Sequence, residues 1–257
     1  MFVRPTVSVN QQTFPSIALE RFQQLEQEIR NAPASAIPYV ELAQFYLNQE
    51  RFADAKRVLE TGVQCCPEHE PLLLMREDLL LHQAGKLVEQ AKMELVQNQS
   101  DVNKYAVEQS EINFANERIR VCRDRYGRHP EQTDVLINWA IGLRQLARFD
   151  EAVELLNKAT NDVDSRAKAS LQLGICYQTL NRPLDALSAL RRASLYRSPP
   201  PEPAIRRRAL ELALEIAESV SLIDSAKYYA EQLLLDCDPM KRISIVESVR
   251  RLESIEL

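Results

Sequence analysis

Apolar side chains recur along this chain at steps of three and four residues, which places them on one face of an α-helix. Three stretches also share one order of large and small side chains. That order is Tyr39, Leu42, Ala43, Tyr46, Phe52, Ala55, Leu59, Gly62 and Pro67 in the first, Leu136, Trp139, Ala140, Leu143, Phe149, Ala152, Leu156 and Ala159 in the second, and Leu173, Gly174, Tyr177, Ala186, Leu190 and Ala193 in the third. Ala186 lies 34 residues after Ala152, a period typical of repeated helix pairs. The pattern predicts an array of paired helices.

The small residues in this order predict where the helices approach one another. Two helices pack at about 8–10 Å between axes, and the closest approach requires small side chains at the contact. The small residues are Ala43, Ala140 and Gly174 on the first helix of each pair, and Ala55, Ala152 and Ala186 on the second. We expect these six residues to lie at contacts between helices.

The pattern divides the chain into five segments. Residues 1–14 are expected to form a flexible N-terminal arm, and residues 15–67 a capping helix followed by the first repeat. Residues 71–127 are expected to form a long helical hairpin or a degenerate repeat. Two well-formed repeats at 131–198 are followed by a proline-rich link and then by a weak repeat with a C-terminal capping helix at 204–257.

The central segment differs from the repeats. Residues 71–97 are compatible with one long helix or with a degenerate pair that turns at Gly85. An apolar stripe from Val102 to Tyr126 predicts a second helix of about 37 Å, at 1.5 Å per residue. We expect the two to form a long antiparallel hairpin, inserted between the first repeat and the later ones, with coiled-coil-like packing.

These residues together resemble the tetratricopeptide repeat family. The resemblance covers about 35–67 and 133–237, and Leu173 and Gly174 with Tyr177 follow the family pattern closely. Trp139 stands where the family usually has leucine, and the closing proline is present only as Pro67. The resemblance implies an all-α tetratricopeptide-repeat α-solenoid, a right-handed superhelix whose first helices line a concave groove.

The groove positions implied by the resemblance are mainly apolar, with cations and amides at the margins. They are Val40, Gln44 and Leu47 in the first repeat, Ile137, Ile141 and Arg144 in the second, Lys168, Leu171, Ile175 and Gln178 in the third, and Arg207, Leu210 and Leu214 in the last. This set favours another protein as ligand, through an amphipathic helix or an apolar peptide. The alternative is that these apolar residues are buried by neighbouring repeats or by the N-terminal arm.

A second candidate surface is a basic patch around the proline run. It consists of Arg191, Arg192, Arg197, Arg206, Arg207 and Arg208. Glu202 is the acidic residue within this stretch, so the patch has a local net charge of +5, six minus one. Such a patch suits an acidic partner or a phosphate group. The alternative, which we favour, is a solvated face paired with Glu211, Glu215 and Glu218.

Composition limits the other function classes. The chain of 257 residues has a net charge of −5 and a pI near 5.5, which argues against nucleic acid as a partner. Its apolar runs are far shorter than the roughly 20 residues of a spanning helix, so no membrane insertion is expected. Five scattered cysteines and the absence of an apolar leader predict a cytoplasmic protein.

The sequence contains no recognisable catalytic motif. A phosphate-binding glycine loop, a nucleophile elbow and an HExxH zinc motif are all absent. Cys65, Cys66 and His69 form a small cluster, but about four ligands would be needed for zinc. We therefore expect no catalytic residue, no metal and no cofactor. A protein-interaction scaffold is the leading hypothesis, a structural protein that self-associates through the hairpin is the second, and an all-α enzyme or regulator is the third.

Overall fold

The computed structural model describes residues 16–195, 198–236 and 246. Eleven α-helices and no strands occur in that part of the chain. The helices are α1 (Ser16–Asn31), α2 (Ala36–Asn48), α3 (Phe52–Cys65), α4 (Glu70–Gln97), α5 (Asp101–Arg128), α6 (Thr133–Gln145), α7 (Phe149–Ala159), α8 (Arg166–Thr179), α9 (Pro183–Leu195), α10 (Pro203–Ser219) and α11 (Ile223–Asp236). The all-α prediction is confirmed for these residues.

The chain divides into two compact units, Met1–Gln83 and Ala84–Leu257. The described residues of the first unit share an apolar core, in which Tyr39, Tyr46, Leu59 and Leu72 are each 2% exposed or less. The second unit has two described cores, one around α6 to α8 and one around α8 to α11. Each unit therefore buries its own apolar side chains.

Four pairs of consecutive helices have the same connection. The pairs are α2 with α3, α6 with α7, α8 with α9 and α10 with α11, and three residues separate the two helices in each. The members of each pair contact one another, as do α7 and α8 and also α9 and α10. Within the second unit, the pairs α6 with α7, α8 with α9 and α10 with α11 therefore pack in chain order.

One residue in each connection adopts a left-handed backbone conformation. The residues are Glu50, Ala147, Asn181 and Ser221, with φ between 55° and 57°. The amide that follows donates to a carbonyl five residues earlier, as in Arg148 N to Leu143 O at 2.9 Å. This is the Schellman ending of a helix, in which the left-handed residue is most often glycine. None of the four is glycine, so the turn leaves no glycine signal in the sequence.

An arginine follows the left-handed residue in three of the four connections. Arg51 pairs with Asp54 at 2.6 Å, Arg148 with Glu151 at 2.7 Å, and Arg182 with Asp185 at 2.8 Å. In two cases the guanidinium also lies over the aromatic ring five residues earlier, 4.6 Å from the Tyr46 centroid and 4.8 Å from the Tyr177 centroid. These contacts join the end of the first helix to the start of the second.

The small residues of the repeat pattern lie in the core. The five alanines are 0–1% exposed, and Gly174 is buried as well. A Cβ atom built on Gly174 would lie 2.5 Å from Cγ of Leu190, which is itself fully buried. This distance is too short for a methyl group, so α8 and α9 approach closely because residue 174 has no side chain.

The central segment contains two helices of 28 residues each. Residues 71–97 belong to one helix, α4, and there is no turn at Gly85. The second helix, α5, includes the whole predicted stripe from Val102 to Tyr126. Within the second unit, Lys92 Nζ lies 2.6 Å from Glu111 Oε1, and Asn103 Nδ2 donates to Glu94 O at 3.2 Å. Their interpretation as a hairpin inserted into the array stays a prediction.

The N-terminal arm at 1–14 lies outside the described residues. The C-terminal capping helix, predicted from Ile243, Val246, Val249 and Leu252, also lies outside them except for Val246.

Candidate groove on the first helices of the repeats

The first helices of successive pairs lie side by side in the second unit. Helix α8 contacts both α6 and α10. Leu171 of α8 and Leu210 of α10 share one core, and the half-buried Ile175 and Leu214 pack against it. Ile141 of α6 packs against the neighbouring core. The implied groove positions of these three helices thus belong to one continuous layer.

Three of the implied groove residues are part of the core. Ile137 is 7% exposed, Leu171 is 8% exposed and Leu210 is fully buried. Their side chains fill the contacts between neighbouring helices, as the burial alternative expects. Because these three side chains are buried beneath the surface of the layer, they offer little apolar area to a ligand.

The other implied positions in this unit reach the surface. Ile141, Ile175 and Leu214 are half-buried, as are Arg144 and Arg207, while Lys168 and Gln178 are exposed. Lys168 Nζ forms an ion pair with Glu202 Oε1 at 2.9 Å. The accessible surface therefore consists of three aliphatic side chains with cations and an amide around them.

Helix α5 adds a charged residue beside this layer that the repeat pattern did not predict. Arg118 Nη1 donates to Gln145 Oε1 at 2.9 Å, and its guanidinium lies 4.4 Å from the Phe114 ring centroid. Burial lowers the pKa of Arg118; Cys122 opposes this with a smaller raising effect, and the neighbouring Arg144 charge lowers the pKa by less again. The apolar stripe of α5 signals the helix in the sequence, but nothing in the repeat pattern identifies Arg118.

The first unit carries its own three implied positions on α2. Val40 and Leu47 are half-buried against the core of that unit. Gln44 is exposed and its Nε2 donates to Asn48 Oδ1 at 2.9 Å. These residues form a smaller face of the same kind within the first unit.

The chain is similar to several solved structures at low sequence identity. No protein-family model and no curated protein sequence matches the chain. The chain is similar to a thermophilic TPR protein of Thermus thermophilus, with 15% identity over 85% of this chain and 98% of that one and a TM-score of 0.44. It is similar to pilF of Pseudomonas aeruginosa, with 14% identity over 85% and 87% and a TM-score of 0.48.

A third similar structure is the APC/C hetero-tetramer Cut9-Hcn1. The identity is 12%, the match covers 91% of this chain but 46% of that one, and the TM-score is 0.43. The chain thus spans less than half the length of that protein. The four helix pairs of this chain, with their common turn and buried small residues, decide the fold. It is the tetratricopeptide-repeat fold.

The basic patch lies around the start of the last repeat. Arg191, Arg192 and Arg208 are exposed, and Arg206 and Arg207 are half-buried. Arg208 forms an ion pair with Glu211 at 3.5 Å, which is one of the intramolecular pairs that the solvated-face alternative expects. Arg197 lies outside the described residues. The described arginines of the patch therefore differ in their exposure, and Arg208 is paired within the chain.

Two further features concern other function classes. Within the described residues, no group of three or more His, Cys, Asp or Glu side chains is arranged to hold a metal ion. None of the helices described here combines the length and the apolar character that a membrane crossing requires.

Proposed function

We propose that this chain is a non-catalytic protein-interaction scaffold of the cytoplasm, which binds the apolar face of an amphipathic helix on the α6, α8 and α10 layer. The observation that carries the proposal is the row of half-buried Ile141, Ile175 and Leu214 on adjacent first helices. A ligand helix presents apolar side chains every three to four residues, which suits contacts with successive repeats.

An unsatisfied donor on Arg144 is further evidence for a ligand at the margin of this row. Its Nε atom is buried and has no hydrogen-bond partner among the described residues. Buried donors are normally satisfied, so a carbonyl or carboxylate of a bound segment would complete it. Lys168 and Gln178 are exposed beside the row and supply further polar contacts.

The described carboxyl groups with shifted pKa values are hydrogen-bonded as charged groups. Hydrogen bonds from Arg120 and Arg148 lower the pKa of Glu117 and Glu151 respectively, and those from Ser165 and Thr133 lower that of Asp162. A general acid requires the opposite shift, toward neutral pH. The four described cysteines are free thiols, which is the usual state in a reducing cytoplasm.

The test is a pull-down from native extract, which compares the proteins retained by the wild-type chain with those retained by its variants. Ile141→Asp combined with Ile175→Asp should abolish retention of a specific partner, because two charges would face its apolar side. The control is Leu184→Asp combined with Leu235→Asp, since these side chains are 69% and 74% exposed on second helices. Equal retention by both double variants, with matched thermal melts, would contradict the proposal.

A second variant pair avoids changes to partly buried residues. Lys168→Glu combined with Gln178→Glu alters exposed positions beside the row and should weaken the same partner without affecting the melting temperature. If only the variant with Ile141→Asp and Ile175→Asp lost binding, and its melting temperature also fell, the loss would be due to unfolding and not to a lost contact with the partner.

Self-association is a second candidate function, favoured by exposed apolar residues on α4 and α5. These are Leu87, Met93, Val96, Val102 and Tyr105, between 61% and 81% exposed. A second copy of the chain could cover them by pairing its own long helices. Sedimentation at two concentrations tests this, and Val96→Glu with Val102→Glu should remove any concentration dependence. A concentration-independent monomer leaves the scaffold proposal alone.

A further inference from the structure

Two arginines from different helices lie close together beside the α6, α8 and α10 layer. Arg144 belongs to α6, one helical turn after Ile141, and Arg118 belongs to α5. Arg118 Nη1 donates at 2.9 Å to Oε1 of Gln145, the residue that follows Arg144. Both arginines are half-buried. We call these two residues the arginine pair.

The electrostatic influence of Arg144 reaches both α5 and α8. Burial lowers the pKa of Arg118 on α5, and the Arg144 charge adds a smaller lowering. Burial raises the pKa of the Cys176 thiol on α8, and the Arg144 charge opposes that rise. Cys176 directly follows Ile175 in the chain. The Arg144 guanidinium therefore lies near both helices, next to the row of half-buried aliphatic side chains.

Close packing of α5 on α6 fixes the position of Arg118. A Cβ atom built on Gly142 would lie 2.9 Å from Ile119 Cγ1 and 3.6 Å from Arg118 Cδ, so the stem of the arginine runs beside a glycine. The guanidinium lies 4.4 Å from the Phe114 ring centroid and is hydrogen-bonded to Gln145. A side chain that is already held in place loses less conformational entropy when it binds a ligand.

The described part of the chain provides no carboxylate for the arginine pair. Neither arginine has an ion pair there, and no acidic side chain is among the groups that shift the pKa of Arg118. Arg144 Nε is buried and has no hydrogen-bond partner among the described residues. Two like charges in a half-buried position disfavour one another, and buried charges are normally paired. The group that this position lacks is therefore an anion.

An acceptor on α8 also lacks a partner. Gln172 Oε1 is buried and accepts no hydrogen bond from the described residues. Gln172 precedes Cys176 by one helical turn, so both lie on the same face of α8. A backbone amide of a bound segment would satisfy this oxygen, whereas a simple anion such as chloride has no donor to offer. The unsatisfied groups therefore favour an anion that is part of a peptide.

We propose that the arginine pair binds a side-chain carboxylate of the docked amphipathic helix, so that the partner segment has Asp or Glu beside its apolar face. This inference rests on the proposed function, because it concerns the same ligand. Guanidinium groups bind carboxylates through paired hydrogen bonds. Residues three or four apart on a helix are neighbours, so an acid one turn from an apolar contact of the ligand matches the one-turn separation of Ile141 and Arg144.

The test begins with selection from a display library of helical peptides, in which leucine is fixed at steps of three and four residues and every other position is random. The immobilised full chain captures peptides, and the variant with Ile141→Asp and Ile175→Asp removes those that bind elsewhere. We expect Asp or Glu to be enriched at a position beside the leucine face. Captured peptides without this enrichment would overturn the inference alone. If no captured peptide depended on the two isoleucines, the proposed function would be wrong, and this inference with it.

A double-mutant cycle then assigns the acid of a selected peptide to the arginine pair. Replacing that acid by its amide should weaken binding to the wild type at least about tenfold. Arg118→Gln with Arg144→Gln should weaken the acidic peptide by a similar factor, and the amide peptide should then bind this variant no more weakly than the acidic one. If the variant still preferred the acidic peptide by the full factor, the acid would bind elsewhere and the inference would be wrong.

Matched variants separate this contact from general charge attraction and from a structural role. Arg191→Gln with Arg192→Gln removes the same net charge from exposed positions on α9 and should change the affinity less than about twofold. An equal effect of both double variants would overturn the inference. Arg144→Gln alone removes a side chain whose Nε has no partner, so it should weaken the acidic peptide several-fold at an unchanged melting temperature. A lowered melting temperature with unchanged affinity would show that Arg144 serves the fold instead.

Discussion

Gly174 shows at the scale of one residue how closely two helices of a repeat approach. Adding a methyl group there would require Leu190, which is fully buried, to move, because the new carbon would lie 2.5 Å from its Cγ. We predict that Gly174→Ala lowers the free energy of unfolding by about 1–3 kcal/mol, the usual cost of overpacking. Chemical denaturation of both proteins measures the difference.

Gly127 provides the matched control for that substitution. It lies in α5, and a Cβ atom built there meets nothing within 4 Å. Alanine is favoured over glycine in a helix by up to about 1 kcal/mol, so Gly127→Ala should leave the stability unchanged or raise it. If both variants gained stability, the close contact of Gly174 with Leu190 would be wrong.

Asp162 links two repeats through a carboxylate. Its Oδ2 accepts a hydrogen bond from Thr133 Oγ1 at 2.8 Å and another from the Ser165 amide at 3.0 Å. Hydrogen bonds from Ser165 and Thr133 lower the pKa of Asp162. The unfolded chain, with a pKa of about 3.9, then binds this proton more readily than the folded chain. The stabilisation is complete above that value and is lost as the pH falls through the folded pKa.

We predict that Asp162→Asn lowers the free energy of unfolding by about 1 kcal/mol at pH 7, because an amide oxygen accepts these bonds more weakly. The difference from the wild type should shrink below about pH 4. Urea denaturation across this pH range measures it. Asp164→Asn, at a neighbouring exposed residue, is the control, and its free energy of unfolding should equal that of the wild type at each pH. A difference that is constant with pH would contradict the role of the charge.

The connection between paired helices is the element that recurs most regularly. A left-handed backbone conformation costs an L-residue roughly 1–2 kcal/mol, and Ala147 has no polar side chain to reduce that cost. We predict that Ala147→Gly raises the free energy of unfolding by a few tenths to about 1 kcal/mol, after the added chain entropy of glycine. Glu154→Gly, in the exposed middle of α7, should instead lower it by up to about 1 kcal/mol. Thermal melts of the two variants should shift in opposite directions.

The sequence predicts the paired helices because their signal, the spacing of large and small residues, lies within each helix. Spacing of large and small residues gave the four helix pairs, because burial of one helix face follows the period of the helix itself. Gly85 shows the limit of such signals. In α4 it is an ordinary helical residue, and its nearest neighbour is the Phe114 ring at 3.9 Å from a built Cβ atom. Glycine is compatible with a turn and with a helix, so the sequence left both open.

The candidate groove was less predictable than the helices. Ile137 and Ile141 lie one turn apart on the same face of α6, yet the first is 7% exposed and the second is half-buried. The difference depends on where the neighbouring helices pack, which is a non-local property. The same holds for Arg191 and Arg206, which line one cavity although they belong to different helices, α9 and α10. The sequence shows only that both arginines belong to one basic patch, and the packing of the helices brings them to one cavity.

At the scale of the whole molecule, each compact unit stabilises itself through its own core. Leu59 belongs to the core of the first unit and Leu210 to a core of the second, and both are fully buried. In repeat proteins, stability is close to a sum of repeat terms and nearest-neighbour terms. Local opening can therefore differ between units of one chain, and hydrogen exchange measures it.

We predict that Leu59→Ala, which should cost about 2–5 kcal/mol, lowers amide protection in α2 and α3 and leaves α8 to α11 close to wild type. Leu210→Ala is the matched control and should give the reverse distribution, because it creates a cavity of the same size in the other unit. The measurement is native-state hydrogen exchange of both variants, resolved by helix. A uniform loss of protection along the chain in either variant would mean that both units unfold in one cooperative step, and the division of stability between two cores would then be wrong.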